Sequence, residues 1–160
     1  MHGSPDTVER HFWQSSIEAL VQMGVGGVLV GAPDHVLPHP LPGDIIAASA
    51  APFSQILPHC VLAVHHGGIG TTASVLRAGL PAVIVPRGFD QAFNAAQVVR
   101  HHLGRVIPLR RYNTRRAVSA MEHLRRTTEV QAETHTFAQR LAEEDGAIVL
   151  VNKIERFLSP

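Results

Sequence analysis

The sequence predicts an α/β fold in which a Rossmann-like parallel sheet is flanked by helices, and three observations support this. Short apolar runs bounded by glycine or proline alternate along the chain with segments of helical periodicity. The apolar runs lack the strict polar alternation of half-exposed strands, so they are typical of buried parallel strands. A chain of 160 residues is long enough for one core and short for two. We therefore expect a single domain over residues 1–160.

The first part of the chain predicts a helix followed by two strands. Residues 6–24 carry apolar side chains at helical spacing, with Asp6 or Thr7 able to cap the start and Gly24 the end. The run GGVLVG predicts a strand buried on both faces. A proline-rich stretch, 32–44, predicts an exposed, extended connection, and IIAAS predicts the second strand.

The middle of the chain continues the alternation. We expect a helical turn in FSQILPH, a third strand in CVLAV, and a helix from Thr71 or Thr72 that ends at Gly79. The fourth strand is predicted in LPAVIVP, the next helix in QAFNAAQVVRHHLG with Gly104 ending it, and the fifth strand in RVIPL. Three further helices are predicted over 114–126, 128–146 and 147–160.

Composition sets limits on the partners. Fourteen basic and 13 acidic residues leave a net charge of +1, which gives no general attraction to nucleic acid or to membrane surfaces. No apolar run is long enough for a membrane span, and the single Cys60 cannot form an intramolecular disulfide, so we expect a cytoplasmic protein with Cys60 as a core residue. Eleven histidines occur partly as adjacent pairs without metal-ligand spacing, so no metal site is predicted. The cluster Arg110, Arg111, Arg115 and Arg116 predicts a solvated surface, with an acidic partner surface as the alternative.

A glycine-rich turn after the third strand is the first candidate binding element. Gly67, Gly68 and Gly70 let the backbone approach a ligand closely, and the following helix offers unpaired N–H groups and a partial positive charge. Neighbouring hydroxyls and His66 add hydrogen-bond donors for phosphate oxygens. Neither G-x-G-x-x-G nor G-K-[ST] is present, which disfavours a dinucleotide site and a P-loop.

Asp90 and Gln91 form the second candidate element, at the end of the fourth strand. Adjacent parallel strands end at the same edge of a sheet, so these side chains should lie beside the glycine turn. A carboxylate and an amide can bind the vicinal hydroxyls of a sugar, and phosphate plus sugar indicates a nucleotide-sugar. The alternative is that Asp90 and Gln91 only cap the helix that starts near Ala92.

The run HHGGIGTTASVLRAGLPAVIVPRGFDQAFNA resembles the donor-binding signature of family 1 glycosyltransferases of the GT-B fold, particularly bacterial macrolide and antibiotic glycosyltransferases. The matching positions are His66, Gly68, Gly70, Thr71, Asp90, Gln91 and Asn94. The resemblance implies one half of a GT-B fold, the C-terminal domain, whose first strand is absent from this chain. It also implies natural product glycosylation with a UDP- or dTDP-sugar.

The resemblance implies roles for individual residues. The diphosphate-binding residues predicted from the turn and the resemblance together are His66, Gly67, Gly68, Gly70, Thr71 and Ser4. Asp90 and Gln91 are predicted to bind the donor sugar, and Phe53 the nucleobase, with simple packing as its alternative. Residues 1–4 are interpreted either as a tag or as a truncated loop that approaches phosphate.

The expected reaction is an inverting displacement at the anomeric carbon that needs neither a cofactor nor a metal, because backbone N–H groups and His66 stabilise the departing diphosphate. The resemblance implies that the general base lies on an N-terminal acceptor domain or subunit, so no catalytic residue is predicted in this chain, which is expected to be inactive alone. A non-catalytic nucleotide-sugar binding module, a subunit of a split two-chain glycosyltransferase and an epimerase stay open as alternatives. An exposed sheet edge would favour homo-oligomers.

Overall fold

The computed structural model describes residues 5–143 and 146–158, so Ser4 and the interpretation of residues 1–4 lie outside the described residues. The strands are β1 (Gly27–Val30), β2 (Ile45–Ala48), β3 (Ala63–His65), β4 (Ala82–Ile84) and β5 (Gly104–Val106). The helices are α1 (Pro5–Met23), α2 (Phe53–Ile56), α3 (Ile69–Arg77), α4 (Gln91–Arg100), α5 (Thr114–Arg126), α6 (Thr128–Glu143) and α7 (Gly146–Leu158). Single 3₁₀ turns occupy Asp34–Val36, Leu57–His59 and Leu109–Arg111. The predicted alternation of strands and helices is confirmed.

All strand pairs are parallel, as the α/β prediction requires. β1 pairs with β2, and β3, β4 and β5 form a second sheet in that order. Within the described ranges these are two hydrogen-bonded sheets rather than the expected continuous one. Helix α1 lies across both, because its Ile17 packs in a cluster with β1 and β2 while its Phe12 packs in the cluster that contains Val83 and Val85.

Strand β4 divides the main core into two layers. Val83 belongs to the cluster under α5, and its neighbour Ile84 belongs to the cluster under α3 and α4, as expected from the two-residue period of a strand. Both side chains are fully buried. The buried members of the α5 cluster are Phe12, Ala19, Val83, Val85, Ile107, Tyr112, Ala117, Ala120, Met121 and Leu124. β4 is therefore buried on both faces of the sheet.

Strand β1 is less buried than predicted. Val28 is 40% exposed and its partner in β2, Ile46, is 60% exposed. The expectation of burial on both faces of β1 was wrong, because no described residue packs over this face. The proline-rich segment is exposed or half-buried over most of its length, as expected, but Val36 and Leu37 are buried.

Two helix ends also differ from expectation. Helix α3 begins at Ile69, before the predicted threonines, because Gly68 is extended and takes the N-cap position. Helix α4 ends at Arg100, and His102 adopts a positive φ of 57°. Gly104 does not end this helix but begins β5, where an added Cβ would collide with the carbonyl oxygen of Ala82. Glycine is required at position 104 because the backbone of β4 lies too close to leave room for a side chain.

No helix in the described ranges has the length and apolar character needed to cross a membrane.

Candidate functional site

The glycine turn joins β3 to α3 at the carboxyl edge of the three-stranded sheet. Gly67 is buried and has a φ of +90°, which L side chains rarely adopt. A Cβ there would lie 2.7 Å from Cγ2 of Ile84, a fully buried side chain of β4. Gly68 follows in extended conformation, and no side chain caps α3. The first N–H groups of α3 are therefore free of intrahelical acceptors and face the open end of the turn.

His65 supports this turn from inside. Its Nδ1 accepts a hydrogen bond from the backbone N–H of Gly67 at 3.0 Å, and its side chain is buried. Burial, and secondarily the neighbouring His66, lower the pKa of His65 to about 4, so the ring is neutral at pH 7. Because Nδ1 accepts, the proton is assigned to Nε2, which is buried without a partner in the described part of the chain. No function was predicted for His65 from the sequence; in the structure it orients the glycine turn.

His66 and Gly70 lie on the exposed side of the turn. The ring of His66 lies over Gly68, since a Cβ on Gly68 would come within 2.8 Å of His66 Nε2. Gly70 has open space around it. Thr71 is half-buried, whereas Thr72 donates its hydroxyl to the Gly68 carbonyl at 2.9 Å and so serves the helix. The exposed imidazole, the open glycine and the helix N-terminus together form a surface suited to an anion.

Asn94 connects the two candidate elements. It is buried on α4, and its Nδ2 donates to the carbonyl oxygen of Gly67 at 2.9 Å and to Oδ2 of Asp90 at 3.0 Å. The glycine turn and Asp90 are thereby separated by a single amide group. From the sequence, Asn94 was recognised only as a position of the family signature. Its position four residues after an aspartate, on one helix face, was the available signal.

Asp90 occupies the N-cap position of α4 without a capping bond. Its φ and ψ are −71° and −11°, a helical conformation, and no N–H of the helix reaches its side chain. The capping alternative is thus wrong for the Asp90 carboxylate, which is exposed and receives only Asn94 among the described residues. One carboxylate oxygen stays available for a ligand.

Gln91 is partly committed to the protein. Its Oε1 accepts from the backbone N–H groups of Arg87 at 2.8 Å and of Gly88 at 3.2 Å, which closes the loop between β4 and α4. The amide nitrogen of Gln91 has no such bond in the described residues. Any contribution of Gln91 to ligand binding therefore comes from this N–H donor, whereas an acceptor role was equally open from the sequence.

Phe89 was not predicted from the sequence as a residue of the site. It directly precedes Asp90, is 99% exposed and has a φ of 55°, which is uncommon for a residue with a bulky side chain. No sequence signal distinguishes it from a packed aromatic residue. Phe53, the predicted nucleobase residue, begins α2 and packs half-buried against the cluster that contains Leu57 and Val75. The nucleobase-binding role of Phe53 stays a prediction.

Metal ligands are not gathered at this site. In residues 5–143 and 146–158, no three His, Cys, Asp or Glu side chains are grouped to hold an ion. Cys60 packs against the α3 and α4 cluster and donates to the carbonyl of Ile56, and burial raises the pKa of its thiol. Cys60 is half-buried at the edge of this cluster, whereas a core residue was expected. Two cavities, of about 660 and 480 Å³, lie along β5, and neither is lined by the glycine turn or by Asp90.

Comparison with known protein families identifies the family of this chain. Residues 28–148 match the family model described as erythromycin biosynthesis protein CIII-like, C-terminal domain. The chain belongs to this family. The match spans both strand tips and the connecting Asn94, so the site described above lies inside the family's domain.

Two curated proteins are similar to this chain over more than half of its length. O-mycaminosyltylonolide 6-deoxyallosyltransferase of Streptomyces fradiae is 43% identical over 94 residues, covering 58% of this chain and 21% of that protein. Sterol 3-beta-glucosyltransferase of Arabidopsis thaliana is 32% identical over 121 residues, covering 75% of this chain and 20% of that protein. The chain thus spans about a fifth of the length of these curated relatives.

Solved structures agree. The kitacinnamycin glycotransferase superposes with a TM-score of 0.84 at 25% identity, over 92% of this chain and 39% of the other. The calicheamicin glycosyltransferase CalG4 gives 0.83 at 22% identity, over 94% and 40%, which shows the fold. The resemblance to a C-terminal domain of GT-B glycosyltransferases, and the α/β fold class with parallel sheets flanked by helices, are confirmed.

Proposed function

We propose that this chain is the nucleotide-sugar binding half of an inverting glycosyltransferase that transfers a sugar from a UDP- or dTDP-sugar to a small-molecule acceptor. The observation that carries the proposal is the Asn94 amide, which joins the Gly67 carbonyl to the Asp90 carboxylate. The turn that we assign to the diphosphate and the carboxylate that we assign to the sugar thus lie side by side. A diphosphate and its attached hexose have this arrangement of charge and hydroxyls.

Transfer with inversion breaks the bond between the anomeric carbon and the diphosphate while the acceptor oxygen attacks from the opposite side. Negative charge grows on the departing diphosphate, and stabilising it lowers the barrier. The free N–H groups at the start of α3 and the exposed His66 ring lie where they can do this. In this proposal they replace a metal ion, and no cofactor is required.

The sugar lies against Asp90. Its carboxylate accepts from sugar hydroxyls, and hydrogen bonds to a charged acceptor are stronger than those between neutral groups. The Asn94 amide fixes the orientation of this carboxylate. The amide nitrogen of Gln91 adds a donor for a neighbouring hydroxyl oxygen.

The acceptor and its general base belong to an N-terminal domain or subunit that this chain does not supply. The S. fradiae relative is named for transferring a deoxyhexose, and this chain covers about a fifth of it. We expect the chain alone to bind the donor without transferring the sugar. The cleft between the halves would enclose the open surface at the strand tips.

The test is calorimetric titration of the chain with UDP, dTDP and their sugars. His66→Ala should weaken binding of bare nucleotide and of nucleotide-sugar about tenfold, because both carry the diphosphate. Asp90→Ala should weaken only the nucleotide-sugar, by a similar factor. His59→Ala and Asp44→Ala, at exposed positions away from the strand tips, are matched controls and should bind as the parent does.

Equal affinity of the parent for nucleotide and nucleotide-sugar would contradict the assignment of Asp90 and Gln91 to the sugar. Absence of binding to every nucleotide would contradict the proposal as a whole. Donor binding that yields no transfer even with a supplied acceptor half would instead indicate a non-catalytic binding module.

A further inference from the structure

The outer edge of β5 is unpaired within the described residues, and its backbone groups point into a groove. On the inner edge, Ala82 donates to the Leu103 carbonyl at 3.1 Å and Ile107 donates to the Ile84 carbonyl at 2.9 Å. Parallel strands direct alternate residues toward opposite neighbours. Gly104 and Val106 therefore direct their N–H and C=O groups away from β4.

Cavities flank this edge on both faces of the sheet. The one on the α5 face has a volume of about 660 Å³, and the one on the α4 face about 480 Å³. Val99 and Val106 line both. A strand added to β5 would thus have space for side chains on either side.

The cavity on the α5 face is basic. Arg105 lies opposite Val83 in the strand register, and Val83 belongs to the α5 cluster, so Arg105 projects toward α5. Arg111 and Arg116 line the same cavity, and Arg116 Nη1 donates to the Arg111 carbonyl at 2.9 Å, which holds the guanidinium there. None of its described lining residues is acidic. Across the described chain, these three arginines form no ion pair.

The cavity on the α4 face is apolar. Its lining residues are Pro86, Ala92, Ala95, Ala96, Val99, Arg100 and Val106. Arg100 is the only charged member of this described set. The two faces of the β5 edge therefore differ in chemistry, basic toward α5 and apolar toward α4.

We propose that the outer edge of β5 binds an extended peptide segment of a partner protein in which acidic and apolar side chains alternate. Successive side chains of a strand point to opposite faces, so alternation places every acidic side chain against the arginines and every apolar one against α4. The backbone of the segment pairs with Gly104 and Val106. Strand addition of this kind derives affinity from backbone bonds and specificity from alternate pockets.

Because β5 is short, the affinity for the peptide segment should depend mainly on side-chain contacts. Only Gly104 and Val106 offer outward backbone groups, and Pro108, which follows the strand, has no N–H to extend the ladder. A few backbone bonds contribute little net free energy in water. Binding should therefore depend on the charge complementarity of the α5 face and weaken as salt is raised.

The experiment uses the full chain and a fluorescent peptide in which glutamate and valine alternate, followed by anisotropy. A peptide of the same composition, with its glutamates and valines in separate blocks, is the control and should bind at least about tenfold more weakly. Arg105→Glu and Arg116→Glu should each weaken the alternating peptide by about tenfold or more. Arg140→Glu, an exposed arginine of α6 that does not line the groove, should leave it unchanged.

Hydrogen exchange distinguishes strand addition from non-specific attraction. When the alternating peptide binds, the amides of Gly104 and Val106 should gain protection from hydrogen exchange. A peptide whose backbone nitrogens are methylated along one edge should give no such protection. Equal binding of the alternating and block peptides, unchanged exchange at these amides, or no binding of the alternating peptide at millimolar concentration would each overturn the proposal. A dimer that Arg105→Glu disperses in sedimentation would also overturn it, because the occupant would then be a second copy.

Discussion

The turn after β3 and the loop after β4 lie side by side, yet they hold their candidate ligand-binding groups in different ways. In the first, Gly67 and His65 are buried, and the exposed part consists of the His66 ring, Gly70 with open space around it, and the start of α3. In the second, residues 87–90 are exposed, and the polar side chains of Asp90 and Gln91 are oriented by hydrogen bonds to their own loop and helix.

The difference follows from what each loop presents. A backbone that must approach a ligand closely cannot be oriented by its own side chains, so the core beneath it has to fix it. Side chains that contact a ligand can be oriented by short local bonds, as Asn94 orients Asp90. We therefore expect a substitution in the loop after β4 to change stability and ligand binding together. Within the glycine turn, we expect different substitutions to change stability and ligand binding separately.

The largest expected effect comes from Gly67→Ala. The residue has a φ of +90°, and the new Cβ would lie 2.7 Å from Ile84 Cγ2 in a fully packed region. Left-handed strain and overpacking together should lower the free energy of unfolding by about 3 to 5 kcal/mol. Urea denaturation of the parent and of the Gly67→Ala variant measures this loss. A loss below about 1 kcal/mol would show that the turn can relax, and the contrast between the two loops would then fail.

His65 gives the next effect, through pH. Burial lowers its pKa to about 4, against 6.5 for an unperturbed histidine. Between pH 6.5 and 4 the unfolded chain binds a proton that the folded chain does not, so stability falls as the pH is lowered through this window. The total loss is about 3 kcal/mol and levels off below pH 4.

The measurement is urea unfolding at a series of pH values. His65→Asn keeps an acceptor for the Gly67 N–H while removing the titrating ring, and should flatten the dependence between pH 6.5 and 4. His59→Asn, at an exposed position, controls for the loss of a histidine and should keep the slope of the parent. If His65→Asn leaves the slope unchanged, another group is responsible for it.

Much of this site was predictable because it depends on strand order and spacing. Parallel neighbours end at one edge, so apolar runs followed by HHGG and by Asp90 were sufficient to place the glycine turn beside the acidic residue. The assignment of phosphate and sugar to these residues stays a prediction. What the sequence could not give were tertiary properties: the exposure of Phe89, the buried acceptor role of His65, and the commitment of Gln91 Oε1 to its own loop.

Gly104 shows the same limit within the fold. A glycine after a helical segment predicts a helix end, and that rule held at Gly79, which has a φ of +70°. At Gly104 the requirement comes instead from the Ala82 carbonyl of the neighbouring strand. The contact between Gly104 and Ala82 cannot be predicted from a single sequence. The rule that a glycine ends a helix therefore predicted the wrong role for Gly104.

The smallest effect on stability, and the sharpest comparison with Gly67, is expected from Gly70→Ala. Gly70 lies in the first turn of α3 with nothing near its missing Cβ, so alanine should raise the free energy of unfolding by at most about 1 kcal/mol. The added methyl group would nevertheless occupy the open end of the helix where the diphosphate is proposed to bind. We expect the affinity for UDP, measured by calorimetry, to fall about tenfold while the free energy of unfolding is kept. A displacement of the phosphate by a few tenths of an ångström is enough to weaken its charged hydrogen bonds. Unchanged affinity would place the phosphate on the His66 side of the turn, and the glycine at position 70 would then have no part in binding.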